Sequence, residues 1–316
     1  MRFLVLVGLG LLALSAVLLA VGAGFFAEHA GEAGQRVGVS ALAVGLLVAG
    51  AEPEELITAA IASARHHPGI ALGDALGANV TMLTLVLGAI AVLVGLPLSA
   101  RVRGYAVGAS LVGVLCAIFA STGEIGRVAG VVMILAYASL VAVTWGVERE
   151  PPAIGEVSDA YEELGERASA GASTTAVALV LVGTALMIVG GAIAVAGAER
   201  VVDSLGVADS AVGLTFVAFA TTAELFALAW AALRRGITEL AVAGVVGSAA
   251  YNATATVGVA AVIRPLPSRG VIGAAWLAAA LPLIVVALGG PKARVRRLAG
   301  AMLLVTYGVY VFAIFQ

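Results

Sequence analysis

Three glutamates, Glu52, Glu54 and Glu55, stand in the run LAVGLLVAGAEPEELITAAIASA, with about ten apolar or small residues on either side. A fourth, Glu224, is the only acid of GLTFVAFATTAELFALAWAAL. A carboxylate at the centre of a membrane helix costs about 2.5–3.5 kcal/mol even on lenient insertion scales, so its presence points to function. Neither run holds a Lys, Arg or His that could reduce these acids to buried ion pairs. Pro53 removes a backbone donor and disrupts the turn before it, which frees carbonyl oxygens. Carboxylates, freed carbonyls and the hydroxyls of Thr221 and Thr222 are the oxygen ligands a hard cation takes. Two carboxylates that face each other repel unless a cation or proton is shared between them. One divalent ion neutralises both, and two monovalent ions or protons can replace it, which is the arithmetic of exchange.

Polar neighbours follow each acidic run. GDALGANVTMLTLVLG supplies Asp74, Asn79, Thr81 and Thr84, and GVVGSAAYNATATVG supplies Ser248, Asn252, Thr254 and Thr256. Ser248 and Asn252 are four apart and share a helix face. Gly77 and Gly247 allow close backbone approach. Other polar residues invite plainer readings. Asp74 stands near the end of its apolar run. His66 and His67 follow Arg65 where a helix should end, and read as solvated loop, as do Glu28, His29 and Glu32. Trp145, Trp230 and Trp276 suit interfacial or packing positions. Cys116 reads as a small buried hydrophobe with no intrachain disulfide partner.

These residues need elements to carry them, and composition settles the class. The chain has 316 residues, 62% hydrophobic and 11% charged, with a mean hydropathy of +1.11. Soluble domains carry about 25% charged residues, so a water-soluble or disordered chain is excluded. A formal charge of −2 leaves no footprint for nucleic acid. The expected fold is an all-α polytopic membrane protein. A span needs about 20 apolar residues, and ten such runs occur: 3–27, 37–64, 70–96, 102–120, 125–147, 174–196, 207–233, 238–262, 271–288 and 295–315. The first is too long for a signal sequence and reads as a helix. Loop arginines and lysine divide eleven to six between the two sides. The positive-inside bias then places both termini outside and the acidic loop 148–173 in the cytoplasm. That loop reads as a solvated linker.

The chain also repeats itself. A shift of 170 residues aligns 40–97 with 210–267 without a gap, matching Ser40/Ser210, Glu54/Glu224, Arg65/Arg235, Gly77/Gly247, Thr84/Thr254, Gly88/Gly258, Leu96/Leu266 and Pro97/Pro267. The halves, 1–147 and 174–316, hold five spans each. An odd number sends the second half into the membrane inverted, an arrangement that builds secondary transporters with the ion site at mid-membrane.

These motifs resemble the calcium/cation antiporter superfamily, which includes sodium/calcium and calcium/proton exchangers. Its two inverted five-helix halves each carry a motif of the type GTSxPEL followed by GSNxxN or GSNxxD. Here the first half reads GAEPEEL and GANVTM, and the second ATTAEL and GSAAYN. The resemblance implies that Glu54 and Glu224 are the central calcium ligands, with Ser248 and Asn252 helping to hold the counter-ion. Asn79 falls in the first GSN-type motif. It also implies that spans one and six slide or tilt against the ion-binding core. Both glutamate motifs are one residue shorter than in sodium/calcium exchangers, a spacing similar to calcium/proton exchangers. Glu55 and Leu225 stand where those proteins often have histidine. Met82 occupies the place that Asn252 fills in the second half, and a thioether is a poor ligand for calcium or sodium. One ion site is therefore lost or rebuilt, with Glu52 as the replacement ligand.

The expected activity is secondary antiport of calcium, or another divalent cation, for sodium or protons around Glu54 and Glu224, with alternating access. A sodium/proton antiporter on the same fold remains open, as does a channel-like or non-transporting protein. No HExxH, GxSxG or Walker pattern occurs, so neither an enzyme nor an ATP-driven pump is expected. The expected partners are the transported cations and the bilayer, with no cofactor and a monomer plausible. An Ala-, Val-, Gly- and Arg-rich chain with a single lysine fits a GC-rich prokaryotic origin, and hence the plasma membrane.

Overall fold

The computed structural model describes residues 2–36, 52–148, 174–235, 238–290 and 293–316. Residues 37–51, the first half of the second expected span, lie outside the described residues, as does nearly all of the acidic linker 148–173. Hydrocarbon offers backbone groups no partner, so apolar segments satisfy their own hydrogen bonds as helices. Helix α1 runs Arg2–Arg36, α2 Pro53–Ala64, α3 Pro68–Val94, α4 Ala100–Ser121 and α5 Arg127–Glu148. The second half begins with α6, Thr174–Leu205, and α7, Asp209–Thr221. Helix α8 is Ala223–Arg235. Helix α9 joins Thr238–Tyr251 to Val257–Ile263, α10 is Ile272–Gly289 and α11 Arg297–Ile314. Among the described residues, eight helices are long and apolar enough to cross a membrane. Their outward faces carry Phe3, Leu111, Val128, Leu181, Leu298 and Phe312, all exposed as lipid-facing residues should be.

The ends of these helices follow local chemistry. Pro53 and Pro68 open α2 and α3 at the first turn, where a missing N–H costs nothing. Ser99 caps α4 by accepting from the Val102 N–H. Gly95 leaves α3 with φ of +75°, a conformation that favours glycine. Helix α6 runs on to Leu205, past the expected end at 196, and carries Glu199 and Asp203 beyond the apolar run. Glu28 and His29 belong to α1 rather than to a loop; the His29 ring lies 3.0 Å from the Phe25 carbonyl one turn back.

Two short β-ladders add to the expected all-helical fold and display its symmetry. Leu96–Pro97 (β1) pairs antiparallel with Arg294–Val295 (β4), and Glu124–Ile125 (β2) pairs with Leu266–Pro267 (β3). A shift of 170 turns the first ladder into the second, register included: Leu96↔Val295 becomes Leu266↔Ile125. The ladders lie at opposite ends of the 22-residue α4, about 33 Å apart at 1.5 Å per residue. An axis in the membrane plane relates them, as inverted repeats require. The same shift exchanges two glycine crossings. Gly88 meets the Gly300 carbonyl, and Gly130 meets that of Gly258, with only 3.1 and 2.7 Å left for an added Cβ. Helices α1 and α6 lie against each other along their length, crossing at Gly8 on Gly197 and Gly22 on Gly183.

Candidate cation-binding site

Both acidic runs hold a non-helical residue at the same repeat position. Glu52 adopts a non-helical conformation (φ −95°, ψ 83°) directly before α2. Its repeat equivalent, Thr222, interrupts the seventh span between α7 and α8 (φ −82°, ψ 2°). Pro53 suits the helix start that follows Glu52. The interruption at Thr222 forms without a proline, so the tertiary fold holds it. Glu54 lies in the first turn of α2 and Glu224 in the first turn of α8, where the positive end of the helix dipole favours an acid.

The polar helices α3 and α9 also depart from regular geometry at equivalent positions. Thr81–Val86 and Asn252–Thr256 are π-helical turns, a feature common at functional sites. Within them Thr84 donates to the Val80 carbonyl and Thr254 to that of Ala250. Helix α2 packs on the π-helical turn of α9, and α8 on that of α3. Each glutamate helix therefore rests on the irregular turn of the opposite repeat.

Every residue singled out from the sequence for ion binding is buried: Glu52, Glu54, Asn79, Thr221, Thr222, Glu224, Ser248 and Asn252. Asn252 donates its amide N–H to Glu52 Oε2 at 3.0 Å, and its Oδ1 accepts from Thr256 Oγ1. Asn79 donates to the Ala249 carbonyl at 2.9 Å. Thr221 Oγ1 stands 3.0 Å from Asp74 Oδ1 and 3.2 Å from the Val217 and Ala218 carbonyls. The Thr222 hydroxyl donates to the Ala218 carbonyl. Ser248 Oγ is buried with no hydrogen bond among the described residues. Met82 is fully buried within the π-helical turn of α3.

Sequence reasoning undervalued two acids. Asp74, in the second turn of α3, is fully buried and bonded across the repeats to Thr221. Glu55 is also fully buried, and it stands close enough to Glu52, Glu54 and Asp74 to feel their charges. Two tyrosines escaped notice. Tyr137 stacks edge-on against Tyr251 with centroids 5.3 Å apart, and Tyr251 senses Glu52, Glu54 and Glu55. Tyr307 is the repeat equivalent of Tyr137, and Thr81 that of Tyr251. Extending the 170-residue match beyond position 97 would have found this pair. Gly77 has the expected close approach, against the Leu214 backbone. Gly247 instead lines a groove between α4, α5 and α9.

His66 and His67 lie in the turn between α2 and α3, as expected, with His66 exposed, but both find partners there. Nδ1 of His67 is 3.0 Å from Asp209 Oδ2 and its Nε2 is 3.2 Å from Glu199 Oε1. The ring thereby ties the α2–α3 turn to α6 and α7. His66 Nε2 accepts from Arg264 at 3.2 Å. Among the described residues, no three His, Cys, Asp or Glu side chains converge as a ready-made metal site. A cation held here would draw on hydroxyls, amides and carbonyls beside the carboxylates.

The family model for "Sodium/calcium exchanger protein" matches the chain twice, over residues 7–146 and 175–316. The chain belongs to the sodium/calcium exchanger family. This exchanger is 29% identical to a proposed antiporter, CaxA, of Alkalimonas amylolytica, over 99% of its own length and 98% of the relative's. It is 25% identical to the inner membrane protein YrbG of Escherichia coli K12, over 72% and 71%. A solved structure of the sodium-calcium exchanger NCX_Mj shares its fold, with a TM-score of 0.63 and 23% identity over 97% of this chain and 98% of that one. The exchanger is thus a multi-pass membrane protein of two inverted five-helix repeats. It is a transporter and not an enzyme, and its general activity is cation antiport.

Proposed function

We propose that the exchanger moves Ca2+, or another divalent cation, against Na+ or H+ by alternating access around Glu54 and Glu224. Glu52, Asn79, Thr221, Thr222, Ser248 and Asn252 complete the ligand set. The observation that carries this reading is the pair of equivalent non-helical residues, Glu52 and Thr222, each directly before a helix whose first turn bears a buried glutamate. Unwound backbone at mid-membrane supplies carbonyl oxygens, and Ca2+ takes six to eight oxygen ligands. The Asn252–Glu52 bond supports Glu52 as the replacement for what Met82 cannot give.

In this reading 1–147 and 174–316 are the two exchanging halves, and 148–173 joins them on the cytoplasmic side. Both termini then face outward across a plasma membrane. The working unit is a monomer, the transported ions are its only small-molecule partners, and no cofactor takes part.

Sodium/proton antiport is the second reading, and buried Met82 favours it, because it removes an oxygen from one ion position. Radiolabelled calcium uptake into proteoliposomes under an imposed sodium or proton gradient separates the two. Gradient-driven uptake that is lost in Glu54→Gln and Glu224→Gln supports calcium antiport, and the gradient that works names the partner ion. Folded protein with no calcium uptake under either gradient overturns it in favour of sodium/proton exchange. Passive uptake without a gradient would instead indicate a channel-like protein.

A further inference from the structure

His67 meets carboxylates from two different helices at once. Its Nδ1 stands 3.0 Å from Oδ2 of Asp209, which opens α7, and its Nε2 3.2 Å from Oε1 of Glu199, near the end of α6. A neutral imidazole has one N–H and one acceptor nitrogen, whereas the imidazolium donates from both. An ionised carboxylate only accepts, so both contacts are satisfied together when the ring carries two protons. The three side chains are about one-third exposed, which leaves the ring free to exchange protons with water.

The bridge lies where α6 packs on the helix that bears Glu54. Gly191 of α6 approaches Thr58 and Ile61 of α2, leaving 3.1 Å for an added Cβ, and Arg65 donates to the Ala192 carbonyl at 3.3 Å. The other charged groups at this end have their own contacts. Arg264 holds His66 and the Ser63 carbonyl, Arg200 the Ala196 carbonyl of its own helix, and Arg269 lies against Gly123. Asp203 stands one turn beyond Glu199 on α6. The inverted symmetry does not extend to the bridge. A shift of 170 residues keeps Arg65 as Arg235 but turns His67 into Ile237, Glu199 into His29 and Asp209 into Val39. Those three side chains cannot form a histidine–carboxylate bridge, so two otherwise equivalent faces are made unequal.

We propose that His67 is a one-sided latch, a positioning residue whose doubly protonated ring clamps the end of α6 to the core and favours the arrangement seen here over its inverted counterpart. This rests on the proposed alternating access, in which α6 shifts against the core. Loss of one ring proton leaves a nitrogen lone pair facing a carboxylate, so the clamp is complete in acid and opens as pH rises. Histidine is the side chain whose charge changes between about pH 5 and 8. A contact made in one of two states shifts the population toward that state. His67 therefore sets the balance of the two faces without touching an ion.

Two spin labels read the position of α6 directly. Leu205→Cys labels its exposed end, and Thr122→Cys labels the exposed turn after α4, beside the β2–β3 ladder at the same face. Both are placed in a Cys116→Ala background, in vesicles free of Na+ and Ca2+, and the distance is measured by pulsed electron resonance. With His67 intact, one distance should dominate at about pH 5.5, and a second should grow at least threefold in share at about pH 8.5. His67→Gln, uncharged and donating from one end only, should show the second distance equally at both pH values. His67→Arg, always charged and rich in donors, should keep the first distance at both. Distances that ignore pH with His67 intact would overturn the latch, as would a full pH response in folded His67→Gln. Should a His67 variant misfold, Glu199→Ala decides, since it removes the α6 contact at a half-exposed position and should abolish the response. A pH response in protein that exchanges no calcium would support the latch and overturn only the ion assignment. Calcium exchange without the response would do the reverse.

Discussion

Asn79 donates its side-chain amide to the carbonyl of Ala249, the residue that holds its own position in the other repeat. A contact between equivalent residues lies close to the axis that relates them. Helices α3 and α9 therefore cross at the centre of the pseudo-twofold, and the polar residues on either side are brought in from both halves. Asn252 reaching Glu52 and Thr221 reaching Asp74 are further bonds that join the repeats there.

The Asn252–Glu52 bond should distinguish geometry from charge. Asn252→Ala removes the donor and leaves a buried carboxylate without it, whereas Glu52→Gln keeps an acceptor for Asn252. A buried bond to a charged group contributes about 1.5–3 kcal/mol. Asn252→Ala should lower apparent cation affinity by roughly ten- to a hundredfold, and thermal stability with it. Glu52→Gln should lose affinity while its melting temperature holds. Equal melting temperatures in both variants would show that the bond does not join the repeats.

Asp74→Asn is the corresponding test of the acid that sequence reasoning undervalued. The amide oxygen still accepts from Thr221, so the helices should stay in place and only a negative charge is removed. Ion-driven transport should fall at least tenfold in protein that melts normally. Unchanged transport would remove Asp74 from the charge balance of the site and leave it as a crosslink between repeats.

Gly77→Ala would drive a methyl group into the Leu214 backbone, which has no flexible end to move aside. Overpacking of this kind costs about 1–3 kcal/mol, and the variant should melt several degrees lower or fail to accumulate. Gly10→Ala, with nothing within 4 Å of the added carbon, is the control. It should stay within about 0.5 kcal/mol of wild type. Similar stability in the two variants would contradict the close crossing of α3 and α7.

The symmetric ladders predict two equivalent crosslinks. Directly paired antiparallel residues lie about 4.5–5.5 Å apart at Cα, within the range a disulfide spans. In a Cys116→Ala background, Leu96→Cys with Val295→Cys and Ile125→Cys with Leu266→Cys should both close under mild oxidation. Closure is read as a mobility change reversed by reductant. One pair closing without the other would break the equivalence of the two ends.

Much of this was legible because hydrophobic length is a local property. Ten runs of about 20 apolar residues had no soluble fold available, and helices at most of them follow from the backbone's need for partners in hydrocarbon. The repeat was legible too, since Glu54/Glu224 and Leu96-Pro97/Leu266-Pro267 recur at one offset. Pro53 marked the start of α2.

The break at Thr222 carries no such mark, because nothing in ATTAEL forbids a continuous helix; the packing of α7 and α8 against other helices decides it. Asp74 does lie near the start of its span, but its bond to Thr221, 147 residues away in sequence, could not be read from its place along the run. His67 does stand in a loop, but its partners Glu199 and Asp209 reach it only in the folded chain. Composition and periodicity thus determined what crosses the membrane and how often the pattern repeats. Which polar atoms meet was left to the tertiary structure, because a hydrogen bond of 3 Å depends on helix crossings that no local stretch of sequence specifies.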